Sequence, residues 1–324
     1  MPRESSSAGP VNGALATDNV ITRVWTAVAH HGIRLLRGAL AEDSELFAES
    51  QASETPASGL RCTLLDQLLA PTTDVLFLTR GNDLGRIAAR RLAAAFPDLK
   101  IVVEQPVARS TLLRGRIRRL GPLHVAGQMV FMAFARALYM RSRQRIAEIL
   151  EEHRLEPHWP EGCERIEVPS VNSPECVAAI ERLKPRVILL LGTRIVDRKT
   201  LAAIKAPLVN YHAGITPKYR GIHGGYWAKV EGDLENFGVT VHLVDPGIDT
   251  GAVLYQARLK PNATDNYATF PYLQLATVLP LLEQAVRDAL AGKLNPQTVD
   301  LPSRLWSHPT IWRYIAGGLR RGAW

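Results

Sequence analysis

The run Pro185-Arg186-Val187-Ile188-Leu189-Leu190-Leu191 constrains the fold more than any other stretch of this chain. Its last residues are continuously apolar, which predicts a strand buried on both faces. Strands of this kind occur in parallel sheets that are covered by helices. The run therefore predicts an α/β protein.

Strand and helix patterns alternate on either side of this run. Apolar strands are predicted at Thr73–Thr79, with a helical run to about Phe96 after it, at Lys100–Glu104 and at Ala252–Leu259. Ser173 and Pro174 have the pattern of a helix start, and that helix is predicted to reach Leu183. Together these patterns predict a Rossmann-like, mostly parallel sheet with flanking helices, within a domain of residues 72–290.

Two polar stretches beside apolar strand runs carry the groups suited to chemistry. They are 209–221 (VNYHAGITPKYRG) and 238–251 (GVTVHLVDPGIDTG). Asn210 and His212 are two residues apart, so in an extended chain their side chains point to the same side. With Asp249 on a neighbouring loop, they could bind a developing oxyanion, move a proton and fix one imidazole tautomer. This combination indicates acyl transfer, whereas His223 and His242 are interpreted as packing or substrate-side groups.

At these residues the chain resembles the folate-dependent formyltransferases. Their pattern is Asn-x-His-x-Ser-x-x-Pro, an Arg-Gly or Pro-Gly turn and, about thirty residues later, Asp-x-Gly-x-Asp-Thr-Gly. Here the match reads N-Y-H-A-G-I-T-P-K-Y-R-G followed by V-D-P-G-I-D-T-G, with Gly214 in place of Ser and Pro246 in place of Glu or Gly. The resemblance implies that Asn210, His212 and Asp249 are catalytic.

The same resemblance implies 10-formyltetrahydrofolate as formyl donor and a primary amine as acceptor. Two turns are implied in donor binding, one after each of two strands: Leu191, Gly192, Thr193, Arg194 and Ile195, then Asp245, Gly247 and Ile248. Thr193 departs from the aromatic residue usual in the family. The implied substrate residues are Gly81, Asn82, Arg220 and Gly221. A Gly-Asn turn feeding a helix N-terminus suits phosphate, and a plain tight turn is the alternative.

Composition limits the class of protein. The chain has 324 residues with 46% hydrophobic content, enough for a substantial core. Cys62, Cys163 and Cys176 are far apart and show neither disulfide nor metal-ligand spacing, which favours reduced packing residues in a cytoplasmic protein. No metal site is predicted.

Residues 106–146 form an unexpected, Arg-rich insertion that is predicted to be helical. The insertion holds nine arginines and no Asp or Glu, whereas the whole chain has a formal net charge of +8. Three interpretations stay open: a helical hairpin packed on the domain or on a second subunit, a basic platform for a polyanionic or nucleotide-linked substrate, and a membrane-surface helix.

The two ends of the chain are predicted to differ from the domain between them. Residues 1–71 have the pattern of an extension, with a disordered leader, a helical segment at Val20–Leu40 and an acidic stretch at Ala41–Ser58. Residues 291–324 form a short tail whose aromatic residues must pack on the domain or on a second copy. This tail is too short for the β-barrel of tRNA-modifying members, so no nucleic-acid partner is expected.

The sequence thus favours a formyltransferase that acts on a small-molecule amine, namely a nucleotide-linked amino sugar. Arg220-Gly221 followed by His223 and Trp227 resembles the sugar enzymes in particular. The alternatives are glycinamide ribonucleotide formyltransferase, formyltetrahydrofolate deformylase, and a non-catalytic membrane-associated binding module. A homodimer is a further hypothesis.

Overall fold

The computed structural model describes residues 73–107 and 109–324. The predictions for residues 1–71, and with them Cys62, lie outside the described residues. Within those residues a seven-stranded sheet has the order β3-β2-β1-β4-β5-β7-β8. Its strands are β1 Val75–Thr79, β2 Lys100–Glu104, β3 Arg165–Val168, β4 Val187–Leu191, β5 Leu208–His212, β7 Gly238–Leu243 and β8 Val253–Arg258.

The first five strands of this order run parallel, and β7 and β8 add two antiparallel strands at one edge. All five residues of β4 are buried, as its apolar run predicts for a strand inside a parallel sheet. The predicted α/β, mostly parallel, Rossmann-like fold is therefore confirmed.

Helices cover both faces of the sheet. They are α1 Asp83–Ala95, α2 Arg109–Leu120, α3 Pro122–Arg141, α4 Arg143–Glu152, α5 Pro174–Leu183, α6 Arg198–Ala203, α7 Gly224–Glu231, α8 Phe270–Leu290 and α9 Ile311–Arg321. Alternate residues of β1 enter opposite cores: Val75 and Phe77 pack with α1, α4 and α8, and Leu76 and Leu78 pack with α5. This alternation follows from the two-residue period of a strand.

Side-chain caps begin α5 and α1, and the Ser173 cap is the one that the sequence predicts. The Ser173 hydroxyl accepts a hydrogen bond from the Cys176 amide, with Pro174 at the first helical position of α5. The Asn82 side chain accepts from the Gly85 amide and caps α1. Each cap satisfies a backbone donor that the first turn of a helix leaves unpaired.

The insertion between β2 and β3 and the C-terminal tail meet in a third, aromatic cluster. Phe131 of α3, Tyr226 and Trp227 of α7 and Tyr314 of α9 are all buried there. The tail also contributes strand β9 (Leu305–Trp306), which pairs in parallel with β6 (Arg220–Gly221). Aromatic residues of the tail therefore pack on the chain's own domain, beside the predicted substrate turn.

Candidate active site

The three predicted catalytic residues lie together on the sheet. Asn210 and His212 belong to β5 itself, so they lie in extended chain, as their predicted shared side requires. Because β5 lies between β4 and β7, it continues for three residues beyond the apolar run. Asp249 lies in the connection from β7 to β8, with a positive φ of 50° that Asp tolerates better than most residues.

His212 lies between two acceptors. Its Nδ1 is 3.3 Å from Oδ2 of Asp249, and its Nε2–H donates to the Tyr219 carbonyl at 2.6 Å. A neutral imidazole can donate from one nitrogen only, so both contacts are satisfied as hydrogen bonds when the ring is an imidazolium. The carboxylate is therefore placed to stabilise a positive charge on His212.

Burial and charge act on this pair in opposite directions. Burial lowers the pKa of His212, and it outweighs the raising effects of Asp249 and of the Tyr219 carbonyl. Burial by itself raises the pKa of Asp249, but the positive charge of His212 when that ring is protonated, the neighbouring His242 ring and the Gly221 amide together lower it to about 2. The resting site is thus a neutral imidazole beside an ionised carboxylate, and it is ready to hold a proton on His212 when negative charge develops nearby.

His242 also belongs to this cluster, although the sequence analysis interpreted it as a packing or substrate-side group. It lies directly opposite Asn210 in the β5–β7 ladder. Its Nδ1–H donates to the Leu243 carbonyl at 2.7 Å, so its Nε2 accepts from the Asn210 amide at 3.1 Å. The sequence did contain a signal for this role of His242. Thr240 and His242 are two residues apart on a strand and so share a face, as Asn210 and His212 do.

The Asn210 amide is held in a defined orientation by these neighbours. Its second contact, to Oδ1 of Asp249, is 3.5 Å long. That length is at the outer limit of a hydrogen bond, so this N–H is the group that can turn to a ligand oxygen at least cost.

The predicted substrate turn at Arg220 and Gly221 is joined to the Asp249 carboxylate. The Gly221 amide donates to Asp249 at 2.9 Å, and Arg220 donates to the Ile248 carbonyl at 3.1 Å. A side chain at Gly221, whose φ is 95°, would collide with the Trp306 carbonyl. Nε of Arg220 is buried without a hydrogen-bond partner among the described residues, and a bound anion could satisfy such a donor.

The predicted donor-binding turn after β4 is organised by a carboxylate that sequence reasoning missed. Glu104, at the end of β2, is buried and accepts from the backbone amides of Val171 at 3.0 Å and Arg194 at 2.9 Å. It also forms ion pairs with Arg80 and Arg194. Its polar character at the end of an apolar strand was the available signal.

The other residues of the donor-binding prediction lie in the same two turns. Gly192 has a φ of 71°, and Ile195 is 60% exposed, a large apolar side chain open to a ligand. In the second turn, Asp245 accepts from the Gly247 amide at 3.0 Å and from the Thr250 hydroxyl at 2.6 Å, which closes the loop that carries Asp249.

The Gly81-Asn82 turn borders a cavity of about 310 Å³. Asn82 lines this cavity, whereas Gly81 lies against the Trp159 ring. The cavity wall is rich in tyrosine; its lining residues are Asn82, Asp83, Leu84, Ala135, Tyr139, Tyr267, Ala268, Pro271 and Tyr272. Substrate binding by Gly81 and Asn82 stays a prediction.

A second histidine pair, partly buried, lies where α7, the tail and α3 meet. Nε2 of His223 is 2.7 Å from the Tyr267 hydroxyl and 3.0 Å from Nδ1 of His308. Burial and the neighbouring His308 lower the pKa of His223 to about 3, and burial and Arg116 lower that of His308 to about 4. Gln128 of α3 donates to the His308 carbonyl at 2.8 Å, which ties the insertion to the tail.

Across residues 73–107 and 109–324, no group of three or more His, Cys, Asp or Glu side chains is suited to hold a metal ion. Cys163 and Cys176 are free thiols, and burial raises the pKa of Cys176 to about 11.

The fold and the site together define an α/β protein with an Asn–His–Asp cluster on its central sheet. Residues 138–270 match the family described as Formyl transferase, and this segment contains both motifs. This match confirms the resemblance seen in the sequence for that segment.

The similar proteins include formyltransferases with different names. A methionyl-tRNA formyltransferase of Caldanaerobacter subterraneus is 30% identical over 128 residues, which cover 39% of this chain and 41% of that protein. The chain thus spans less than half the length of this curated relative. Phosphoribosylglycinamide formyltransferase of Streptococcus pneumoniae is 20% identical with a TM-score of 0.44, covering 68% of this chain and 99% of that one.

A third similar protein was solved with ligands. The N-formyltransferase of Helicobacter canadensis, in complex with folinic acid and dTDP-3-aminofucose, is 15% identical with a TM-score of 0.45. The match covers 72% of this chain and 71% of that one.

Proposed function

We propose that this protein transfers a formyl group from 10-formyltetrahydrofolate to a primary amine, and that the amine belongs to a nucleotide-linked amino sugar. The observation that carries the proposal is the cluster of Asn210, His212 and Asp249, in which an amide donor and an imidazole each lie within hydrogen-bond reach of one ionised carboxylate. The match of residues 138–270 to the formyl transferase family supports the same reaction.

In the proposed reaction the amine nitrogen bonds to the formyl carbon, and the bond from that carbon to the folate nitrogen breaks. Negative charge develops on the formyl oxygen, and we assign its stabilisation to an N–H of Asn210 and to the His212 imidazolium. A proton leaves the amine and reaches the departing folate nitrogen, with His212 as the group that holds it in between.

Asp249 has a positioning and electrostatic role in this proposal. Its carboxylate lies 3.3 Å from His212, so it favours the protonated ring at the moment when charge develops. Direct donation from Nε2 of His212 to the formyl oxygen requires exchange of its bond to the Tyr219 carbonyl. Asn210 can donate to the formyl oxygen without giving up a hydrogen bond of similar strength, because its contact with Asp249 is long.

Three features support a nucleotide-linked amino sugar as the acceptor. Arg220 has a buried guanidinium nitrogen without a partner, suited to an anionic group. The tyrosine-lined cavity beside Asn82 suits ring stacking with polar edges. The sequence Arg220-Gly221 followed by His223 and Trp227 resembles the sugar enzymes.

We further propose that residues 72–290 are the catalytic domain and that residues 291–324 are a tail that completes it. Strand β9 of the tail pairs with Arg220 and Gly221, and so supports the substrate turn. A cytoplasmic location and a role in one-carbon metabolism belong to the same proposal.

The test is release of tetrahydrofolate from 10-formyltetrahydrofolate by the full chain. The assay is run first without amine and then with nucleotide-linked amino sugars and glycinamide ribonucleotide, and products are followed by mass. We expect release that depends on one amino sugar, which gains the mass of CO. Release with glycinamide ribonucleotide alone would overturn the acceptor class, release without amine would indicate a deformylase, and no release with any acceptor would overturn the proposed reaction.

A further inference from the structure

Helix α3 is apolar on all sides but is mostly exposed. It is the single helix among the described residues that is long and apolar enough to cross a membrane. Only 22% of its apolar span is buried against the rest of the protein. Val125, Gly127, Gln128 and Phe131 form its buried face. A helix that is apolar all round requires an apolar environment on every side, and the domain covers one side only.

The outward face of α3 is as apolar as its buried face. Met129, Val130, Ala133, Ala137 and Met140 recur there at helical spacing, opposite the buried residues. Met129, Val130 and Met140 are each about half exposed, at 48%, 51% and 53%. Solvation of this face is unfavourable, so it is suited to contact with another apolar phase.

Two neighbouring helices continue this apolar surface. Leu113, Ile117 and Leu120 of α2 are exposed at a spacing of three to four residues, and Trp312, Ile315 and Leu319 of α9 have a similar spacing. Thirteen of the nineteen exposed large apolar side chains of the described residues lie on α2, α3 and α9. Such concentration marks an interaction surface rather than scattered exposure.

Arginines surround this surface, and acidic residues are absent from the same segments. There is no Asp or Glu from residue 105 to 147 or from 301 to 324. Arg145 is paired with Glu148 and Asp265. Nine other arginines of these segments are exposed and form no ion pair within the part of the chain that the structure describes: Arg114, Arg118, Arg119, Arg136, Arg141, Arg143, Arg313, Arg320 and Arg321.

We propose that helices α2, α3 and α9 dock the protein on the surface of an anionic lipid bilayer. The apolar side chains would enter the interfacial region while the arginines contact lipid headgroup phosphates. Helix α3 would lie in the plane of the membrane, because the Trp312 ring packs closely over Gly127 and Gln128 is bonded to the tail. A spanning orientation would separate it from these contacts.

A second copy of the chain fits this surface less well. In a two-fold interface the same patch meets itself, so unpaired arginines would face arginines. The acidic stretch at residues 41–58 has suitable charge, with five Asp or Glu, but Leu46 and Phe47 are its only large apolar residues. Neither occupant covers both the charge and the apolar area.

The test is flotation of the full-length protein with vesicles. Vesicles of phosphatidylcholine alone are compared with vesicles that contain phosphatidylglycerol, at low and at high salt. We expect binding to the anionic vesicles that weakens as salt is raised, because headgroup contacts are screened. Absence of binding to anionic vesicles at low salt would overturn the proposal, as would equal binding to both compositions.

An apolar substitution tests the outward face of α3. Met129→Glu should abolish flotation, because a charge on this face would have to enter the interface. Leu234→Glu is the matched control, since Leu234 is 47% exposed and lies outside the three helices. Circular dichroism of both variants checks that they fold. Retained flotation of folded Met129→Glu would exclude this face from the contact.

A charge substitution tests the headgroup contacts. Each arginine near an anionic surface contributes about fivefold to binding, so Arg114, Arg118 and Arg119 changed together to Gln should weaken vesicle binding on the order of a hundredfold. The control removes three positive charges elsewhere, at the exposed positions Lys199, Lys205 and Lys260. Equal loss in both variants would attribute binding to net charge and not to this surface.

Sedimentation equilibrium tests whether a second copy of the chain, and not a membrane, occupies this surface. We expect the same mass for the wild-type protein and for Met129→Glu. A wild-type dimer that Met129→Glu dissociates would assign the surface to self-association and overturn the membrane proposal.

Discussion

Among the described residues two pairs of histidines lie close together, one pair buried and the other partly buried, and a carboxylate distinguishes the first pair from the second. His212 and His242 lie within 3.5 Å of Asp249. His223 and His308 contact each other and Tyr267, with no carboxylate among their hydrogen-bond partners in the described residues. Burial lowers the pKa of His212, His223 and His308, but only His212 has an anionic partner that opposes the effect.

The difference shows how similar residues acquire different roles. A buried imidazole beside a carboxylate can take up charge during a reaction, because the ion pair offsets part of the desolvation cost. A buried imidazole without one stays neutral and serves as a hydrogen-bonding link, here between α7 and the tail. The first pair is therefore suited to catalysis and the second to holding elements together.

The largest expected effect comes from removing a group of the first cluster. His212→Ala or Asn210→Ala should lower turnover about a hundredfold or more, since loss of one donor to a developing oxyanion costs about 2.7–4 kcal/mol of barrier. The matched variant His308→Asn changes the second pair and should keep turnover near the wild-type value. Tetrahydrofolate release measures all three, and thermal unfolding checks their fold. Near-normal turnover of folded His212→Ala and Asn210→Ala would contradict the site assignment.

A smaller effect on turnover is expected when the first histidine pair loses its carboxylate partner and so resembles the second pair. Asp249→Asn removes the negative charge that opposes burial, so the pKa of His212 should fall further and turnover should drop on the order of tenfold to a hundredfold. Histidine titration by NMR, together with the pH dependence of turnover, tests this expectation. An unchanged His212 pKa in the variant would show that the carboxylate does not support the imidazolium.

The second pair is expected to make stability depend on pH. The pKa values of His223 and His308 are lowered to about 3 and about 4 from an ordinary value of 6.5, so between these limits the unfolded chain binds protons that the folded protein excludes. Stability should therefore fall as pH falls below about 6.5, whereas the contribution of Asp249, whose pKa is lowered from 3.8 to about 2, is lost only below about pH 4.

The variant His308→Phe tests whether His308 makes stability depend on pH. The wild-type protein should lose about 2 kcal/mol of stability from this histidine between pH 7 and pH 4.5, and the variant should lack that contribution. Urea unfolding at several pH values provides the measurement. An equally steep pH dependence in the variant would show that His308 is not a source of it.

The smallest expected effect concerns the hydroxyl that joins the second pair to the chain beyond β8. Tyr267→Phe removes the 2.7 Å hydrogen bond to His223 and should cost about 1 kcal/mol of stability. The pH dependence should remain, because both histidines are still partly buried and withdrawn from solvent. Urea unfolding of this variant at pH 7 and pH 4.5 measures both quantities, and loss of the pH dependence would place Tyr267 among its causes.

Much of the fold could be predicted because its signals are local. The apolar run of β4, the cap residue Ser173 and the strand at Lys100–Glu104 are properties of short segments, and the structure has each where the sequence indicates it. Strand β3 was not predicted, since its Arg and Glu residues give an edge strand little apolar character. The motif pair likewise identified the formyl transferase segment without knowledge of its contacts.

The sequence by itself determined the α/β class, the order of the main elements and the set Asn210, His212 and Asp249. Tertiary structure decided that His242 fixes the Asn210 amide, that Glu104 organises the turn after β4, and that His223 joins His308. It also decided that α3 exposes one apolar face and buries the other. These features depend on partners 30 to 90 residues apart, as with Asn210 and His242 or Glu104 and Arg194. A periodic pattern records which residues share a face, but only the folded chain determines what that face contacts.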